Sequence, residues 1–561
     1  MLLEIAMKKQ RKKQNNRTGR QDMQDLLLPI LLVLGAVPFV IRLRIYDCGL
    51  SGYDWYSQDG TTYDFYCVAR SHFFVILSAV MLLVLAFRLP LYKEKTKDCK
   101  LFIPLAVYSL FVLLSTAFSA DGKLSLQGMP FSGETVFVLL GYIVVCFYTY
   151  QLLEKKRDFT LLHTVFLVVL VLMAVLGWCQ MFGIDLLNFE WVQKLVMNKE
   201  EQELFLGKLG DVFSAHYVYL TLFNPNYAGQ FLAMAECYIM TFCLLEKKGR
   251  KKALYGILFL ALLLPLWFTY ARGALVSLIA GLLVLVLYVG SRAEKKQRLL
   301  LAGGIGGLVA VVLFADALTG FHFLGRVIDQ KESFPLSGIT TGEQVTITYD
   351  GKERIIDDLA EGESRTVTLD GTDWTFVRQG GVYYYQNAYD RLVSLRKIPA
   401  ADLKGLEYLG SARGYIWSRI LPKLPRHIFV GSGPDTFIIT FPQDDYVGKA
   451  NYGHNPMRLI EKAHNGYLMI WLQTGLVSLL SLLVFVFFFY RHMAAGIKAA
   501  GQMTTGGKQE KELPLKLQLA ATALVTAYLV GLLFNDSTLF TTPLVCIMAG
   551  MALAASHMCQ K

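Results

Sequence analysis

The sequence predicts an all-α polytopic membrane protein of about twelve transmembrane helices, interrupted once by a large extracytoplasmic loop containing a small β module. Three observations predict it. Of 561 residues, 54% are hydrophobic and 18% charged, with a mean hydropathy of +0.41. Soluble domains average roughly 45–50% apolar and about 25% charged. Runs such as Phe73–Phe87, Leu161–Leu176, Leu254–Phe268 and Val477–Phe489 are apolar with almost no charge, and with their flanks they reach the about 20 residues a bilayer core demands. Basic residues cluster in Lys8–Arg20, Lys93–Lys100, Glu154–Arg157, Glu246–Lys252, Arg292–Arg298 and Arg491–Lys516. These are alternate connections between spans, as the positive-inside rule expects.

That placement explains the net charge of +11 without nucleic acid, because no basic stripe falls on a soluble domain. Residues 1–25 read as a basic cytoplasmic tail. Spans 1–9 occupy residues 26–318, near Leu26–Ile45, His72–Leu91, Leu101–Phe118, Glu134–Leu153, Thr160–Phe182, His216–Leu245, Ala253–Tyr270, Gly273–Gly290 and Leu299–Leu318. The first is a retained signal anchor, since its apolar run is long and lacks a small-x-small cleavage site. Spans 10–12, within 464–561, lie near His464–Tyr490, Leu517–Phe534 and Leu539–His557. An even span number puts both termini inside. Residues 182–214 have room for an interfacial helix.

The interruption, residues 319–463, falls outside by this alternation. Its β-like insert, residues 335–385, alternates at Val345–Tyr349 and Val382–Tyr385 and carries the turn signals Asp350-Gly351 and Asp370-Gly371. A helix follows over 406–421, where apolar residues recur at helical spacing until Pro422. Cys48 and Cys67 share a short outer loop where a disulfide is permitted and not required.

Three basic side chains lie outside, against the positive-inside bias. Arg272, between two apolar spans, reads either as a phosphate clamp at a helix start or as an interfacial arginine snorkelling to headgroups. Arg413 shares a helix face with Trp417, giving a second diphosphate ligand beside an aromatic sugar platform, or else a solvated amphipathic face. His464 stands where the loop re-enters the membrane. It is a proton acceptor oriented by Glu461 one turn earlier, or a polar residue at a helix start that Asn465 caps. Glu236 lies inside a span and needs a partner or a cavity. Asn224 and Asn226 interrupt the outer end of that span, and Asp444-Asp445 reads as solvated loop. Zinc, ATPase and serine-hydrolase motifs do not occur.

In order along the chain, four segments resemble the O-antigen ligase and polymerase family of bacterial envelope glycosyltransferases. They are Asn224-Pro225-Asn226-Tyr227-Ala228-Gly229, Tyr270-Ala271-Arg272-Gly273-Ala274, Gly431-Ser432-Gly433-Pro434-Asp435-Thr436-Phe437, and Ala463-His464-Asn465-Gly466-Tyr467-Leu468 with Gly475. The resemblance covers roughly residues 100–555, and the joint order is more specific than any one motif. It implies a C-type membrane glycosyltransferase in a bacterial cytoplasmic membrane, its active site facing outward. Such an enzyme moves a glycan from a polyprenyl-diphosphate carrier to a glycan or glycolipid acceptor. By resemblance Arg272 holds the diphosphate and His464 acts on the acceptor hydroxyl. Arg413 matches the family's loop Ser-x-Arg arginine, with Arg419 an alternative match and Ala412 standing where a Gly is usual. No cofactor or metal is expected, since arginines can stabilise a diphosphate leaving group. The insert is a departure from the family's core. Ligase and polymerase are not separable from these motifs. The rival readings are a flippase for lipid-linked saccharides and a non-catalytic envelope scaffold.

Overall fold

The computed structural model describes residues 26–91, 96–129, 131–208, 216–292, 306, 335–501 and 505–560. The tail 1–25 and the expected span Leu299–Leu318 therefore lie outside the described residues, apart from Gly306. The described residues are mostly helical. Among the described residues, seven helices are long and apolar enough to cross a membrane: Val68–Leu91, Lys100–Ala117, Lys156–Met181, Pro225–Leu245, Leu476–Ala500, Glu512–Gly531 and Thr542–Gln560. Leu28–Phe39, Val136–Leu152 and Arg272–Tyr288 are shorter apolar helices. Gly249–Trp267 is helical too, its first turn carrying Arg250, Lys251 and Lys252.

The helices that build the centre are α1 (Pro225–Leu245), α2 (Arg272–Arg292), α3 (Thr505–Gly531) and α4 (Thr542–Gln560). Gln230 on α1 donates to the Ala527 carbonyl on α3 at 3.1 Å and accepts from Ser277 on α2 at 3.0 Å, tying three helices with side-chain amide bonds. The outer helices turn Ile76, Leu83, Phe87, Ile257, Leu260, Leu483 and Phe487 outward, as lipid-facing positions would be. Glu236 is fully buried in this centre, and neither carboxylate oxygen has a hydrogen-bond partner.

Three expected spans begin or break differently. The first is an eight-residue helix, Leu28–Gly35, with a 3₁₀ turn Val37–Phe39. Pro38 cannot donate to a continuing helix, and the chain passes into a strand at Arg44–Asp47. The span expected from His216 starts at Pro225, with the Asn224 side chain accepting from the Asn226 amide. The tenth divides at Gly475 (φ 94°) into Gly466–Thr474 and a helix from Leu476. Residues 182–208 hold two short helices, Glu190–Val196 and Lys199–Phe205, with exposed Phe189, Trp191, Leu195 and Leu204.

The insert is two antiparallel meanders that extend past residue 385 to Val393. One has β1 (Leu336–Thr340), β2 (Val345–Tyr349) and β3 (Lys352–Ile356). The other has β4 (Ser364–Leu369), β5 (Thr372–Gln379), β6 (Val382–Gln386) and β7 (Leu392–Val393). Asp350-Gly351 and Asp370-Gly371 both take positive φ in two-residue turns, the conformation that twists hairpin strands correctly. The insert shares one apolar core with Cys48, Leu50 and Trp55, and with Ile438 and Tyr446. Asn387 donates to the Asp54 carbonyl at 2.7 Å, and Arg391 pairs with Asp54 at 3.3 Å. Cys48 and Cys67 are separate buried thiols, and the Cys48 sulfur lies 3.2 Å from the Tyr56 hydroxyl.

Candidate active site

A cavity of about 1070 Å³ opens where the start of α1, the start of α2 and the chain between 408 and 464 converge. Arg272, Arg413, Asn226, Glu461 and His464 all line it. The sequence motifs meet through close packing. A Cβ on Gly229 would lie 2.6 Å from Ala271 Cβ and 2.9 Å from Thr269 Oγ1. Only glycine lets the helix of the first motif approach the turn that presents Arg272. Arg272 itself is the first residue of α2.

Arg413 sits on the helix Leu409–Ile420 and donates to the Phe534 carbonyl. Ala412 before it has φ 65°, a region costly for any side chain. Trp417 and Arg419, from the same helix, do not line the cavity. Trp417 Nε1 donates to the Ala463 carbonyl at 2.9 Å, so it holds the segment before His464. Arg419 Nε is 2.7 Å from Asp445 Oδ2 and its guanidinium lies over Tyr415. Asp445 is thus a buried ion-pair partner and helix cap, not the solvated residue expected, because Tyr415 and the Gly448 amide also donate to it.

His464 (φ 50°) lies in an irregular strap. Since 461–463 are not helical, Glu461 is not placed a turn above the imidazole. The hydrogen-bond partner of His464 is Asp536, Nδ1 to Oδ2 at 3.1 Å. The strap is fixed on two further sides. Gln443 bonds both the carbonyl and the amide of Ile460, at 2.7 and 3.1 Å, and the Gly466 amide donates to the carbonyls of Leu532 and Asn535. Asn465 caps the next helix, accepting from Tyr467 and Leu468, and donates to Leu533.

The connection between α3 and α4 is the hub that sequence reasoning missed. It receives Arg413 at Phe534 and His464 at Asp536. Asn535 donates to the Asn226 carbonyl at 3.3 Å, and Ser537 donates to Glu134 at 2.9 Å. The signal available was a polar run, Asn535-Asp536-Ser537-Thr538, between two apolar spans on the same side as the large loop.

Lys462 was also missed. It lines the cavity at 4% exposure, its Nζ has no hydrogen-bond partner, and it lies 5.4 Å from the Tyr227 ring centroid. Burial opposes its charge, yet Tyr227, Glu134 and Asp536 outweigh this and hold the amine well above its ordinary value. Asp536 is depressed: burial raises it, but His464, Lys462 and Arg413 together lower it further. Burial raises Glu461 to about 7 against the pull of Lys462 and Arg458, and burial lowers Arg413. The cavity wall therefore carries Arg272, Arg413, Arg458 and Lys462 against Glu461, a field suited to a multiply charged anion. Aromatic rings flank it: Phe131 stacks on Phe223 at 5.6 Å, and Tyr408 meets Tyr452 at 5.0 Å.

The third motif lies outside the cavity. A Cβ on Gly431 would fall 2.0 Å from the Gln473 carbonyl carbon, and Asp435 accepts from the Met129 amide at 2.7 Å. Among the described residues, no group of three or more His, Cys, Asp or Glu is placed to hold a metal ion.

Residues 257–483 match the family model described as O-antigen ligase. The matched stretch contains Arg272, Arg413, Lys462 and His464, while Asn226 and Asp536 fall outside it. Neither the curated proteins nor the solved structures gave a match.

Proposed function

From the match of residues 257–483 to the O-antigen ligase family model, we propose a membrane glycan-transfer role and a specific reaction. A glycan leaves a polyprenyl-diphosphate carrier and joins the hydroxyl of an acceptor sugar, on the outer face of the cytoplasmic membrane. The observation that carries this reading is the His464–Asp536 pair opening on the same cavity as Arg272, Arg413 and Lys462.

Asp536, held ionised, fixes the Nδ1 proton of His464 and leaves Nε2 free to accept. Nε2 takes the acceptor hydroxyl proton as that oxygen attacks the anomeric carbon. The bond from this carbon to the diphosphate oxygen breaks, and the electron pair leaves with the diphosphate. Inversion follows from in-line displacement. Arg272, Arg413 and Lys462 neutralise the charge gathering on the leaving group. On this reading the three cations do the work a divalent metal performs elsewhere, and transfer persists in chelator.

In the native host, R272A and H464A at normal membrane levels should abolish surface polymer or its attachment, while lipid-linked precursor accumulates on the outer leaflet. Precursor found at the inner leaflet would support a flippase. Normal polymer from both variants would contradict transfer at this site. The acceptor separates the two kinds of transfer: loss of chain length marks a polymerase, and full-length unattached chains mark a ligase.

A further inference from the structure

Beside the catalytic cavity lies a second one, of about 460 Å³, between the β insert and residues 450–457. One wall is the β4–β5 turn with Asp370 and Asp373, together with Tyr385 and Ala388; the other includes Asn451 and Asn455. The two cavities share Gly453, His454 and Met457 as a common rim. On the insert's side the wall is continuous as well, because Ala388 lines the second cavity and Tyr389 lines the first.

We propose that this groove is a subsite for the acceptor glycan, taking a neutral, hydroxyl-rich oligosaccharide whose terminal sugar reaches His464 in the adjoining cavity. The inference rests on the glycosyl-transfer reading and adds to it the class of acceptor and the role of the insert.

Four observations support it. The volume falls within the about 300–1,000 Å³ usual for small-ligand sites. The wall carries two carboxylates and no lysine or arginine, the reverse of the cationic cavity next door, so an anionic ligand is disfavoured and sugar hydroxyls can donate to the carboxylates. His454 Nε2 and Asn451 Oδ1, on lining residues, are buried without hydrogen-bond partners. Burial, with Arg458, His464 and Lys449, lowers His454 to about 4, so its imidazole is uncharged at neutral pH. The insert is also held firmly enough to form a wall, through its shared core and the Asn387 and Arg391 bonds to Asp54.

The test uses the full-length protein in nanodiscs. The probes are oligosaccharides of one and of four repeats, released by mild acid from the host's own surface polymer. Saturation-transfer NMR should show the longer one binding about tenfold more tightly, the span of one further sugar contact or two. H464A should keep this preference, whereas A388W, which fills the groove, and D373A, which removes a carboxylate without adding bulk, should lose it. In transfer assays, A388W should raise the acceptor KM for the longer oligosaccharide about tenfold more than for the shorter, with little change in kcat. No binding by the wild type, or full preference retained in both groove variants, would overturn the subsite. Binding without any transfer would count against the transfer reading and leave the groove standing; transfer without binding would do the reverse.

Discussion

The Nδ1 of His464 lies 3.1 Å from Oδ2 of Asp536, joining the end of the large loop to the last interhelical connection. Asp536 is almost fully buried, and its second oxygen has no hydrogen-bond partner. In the proposed reaction the pair acts as a base and its orienting carboxylate. D536N keeps the shape and removes the charge, so kcat should fall by about 10²–10⁴ with little change in donor KM, as losing general-base catalysis does. A variant within twofold of wild type would detach Asp536 from the chemistry.

Lys462 faces the same cavity with an ammonium that makes no hydrogen bond inside the protein. If it neutralises the leaving diphosphate, K462M should lower kcat by about 10²–10³, the usual cost of removing one charge-stabilising donor. K462R should restore part of the rate. A structural role would show instead as equal loss of folded protein in both variants.

Arg413 and Arg419 lie six positions apart on one helix, yet their surroundings differ. Arg419 is paired with buried Asp445, and breaking such a pair costs about 3–5 kcal/mol. R419A should therefore lower the thermal unfolding midpoint strongly, whereas R413A should spare the midpoint and abolish transfer. Thermal unfolding followed by a transfer assay on the same samples reads both.

Ala412 holds φ 65°, where glycine is unstrained. A412G should stabilise the protein by about 1 kcal/mol, because relief of the left-handed strain outweighs the added chain freedom. Unfolding measured in denaturant checks the sign.

Glu461 sits at about 7 in the fold, against an ordinary 4.5, chiefly through burial. A raised carboxyl binds its proton more tightly when folded, so its stabilising contribution is complete below pH 4.5 and is lost as pH rises through 7. E461Q keeps the neutral form at every pH. The wild type should lose stability relative to E461Q between pH 4.5 and 7, measured by thermal unfolding across that window.

Much of this was legible in the chain because the signals were local. Apolar runs marked most of the helices, Asp350-Gly351 and Asp370-Gly371 marked two hairpins, and short motifs brought Arg272, Arg413 and His464 forward. What escaped depended on contacts distant in sequence. Asp536 is 72 positions from His464, and nothing near either residue announces the other. Lys462 falls just before the motif that carries His464, and its burial is not visible in the sequence. Trp417 shares a helix face with Arg413, and Arg419 is an alternative match to the family's loop arginine, but the Ala463 carbonyl and Asp445, brought in by tertiary folding, engage them outside the cavity. The first span was misjudged in length because hydropathy does not register the break that Pro38 imposes.

The most direct measurement of the central claim is transfer by the purified full-length protein from a defined polyprenyl-diphosphate glycan to a glycan acceptor, wild type against H464A. The account predicts a new glycosidic bond of inverted configuration, release of polyprenyl diphosphate in equal amount, and loss of both with H464A. Equal transfer by the two proteins would contradict it.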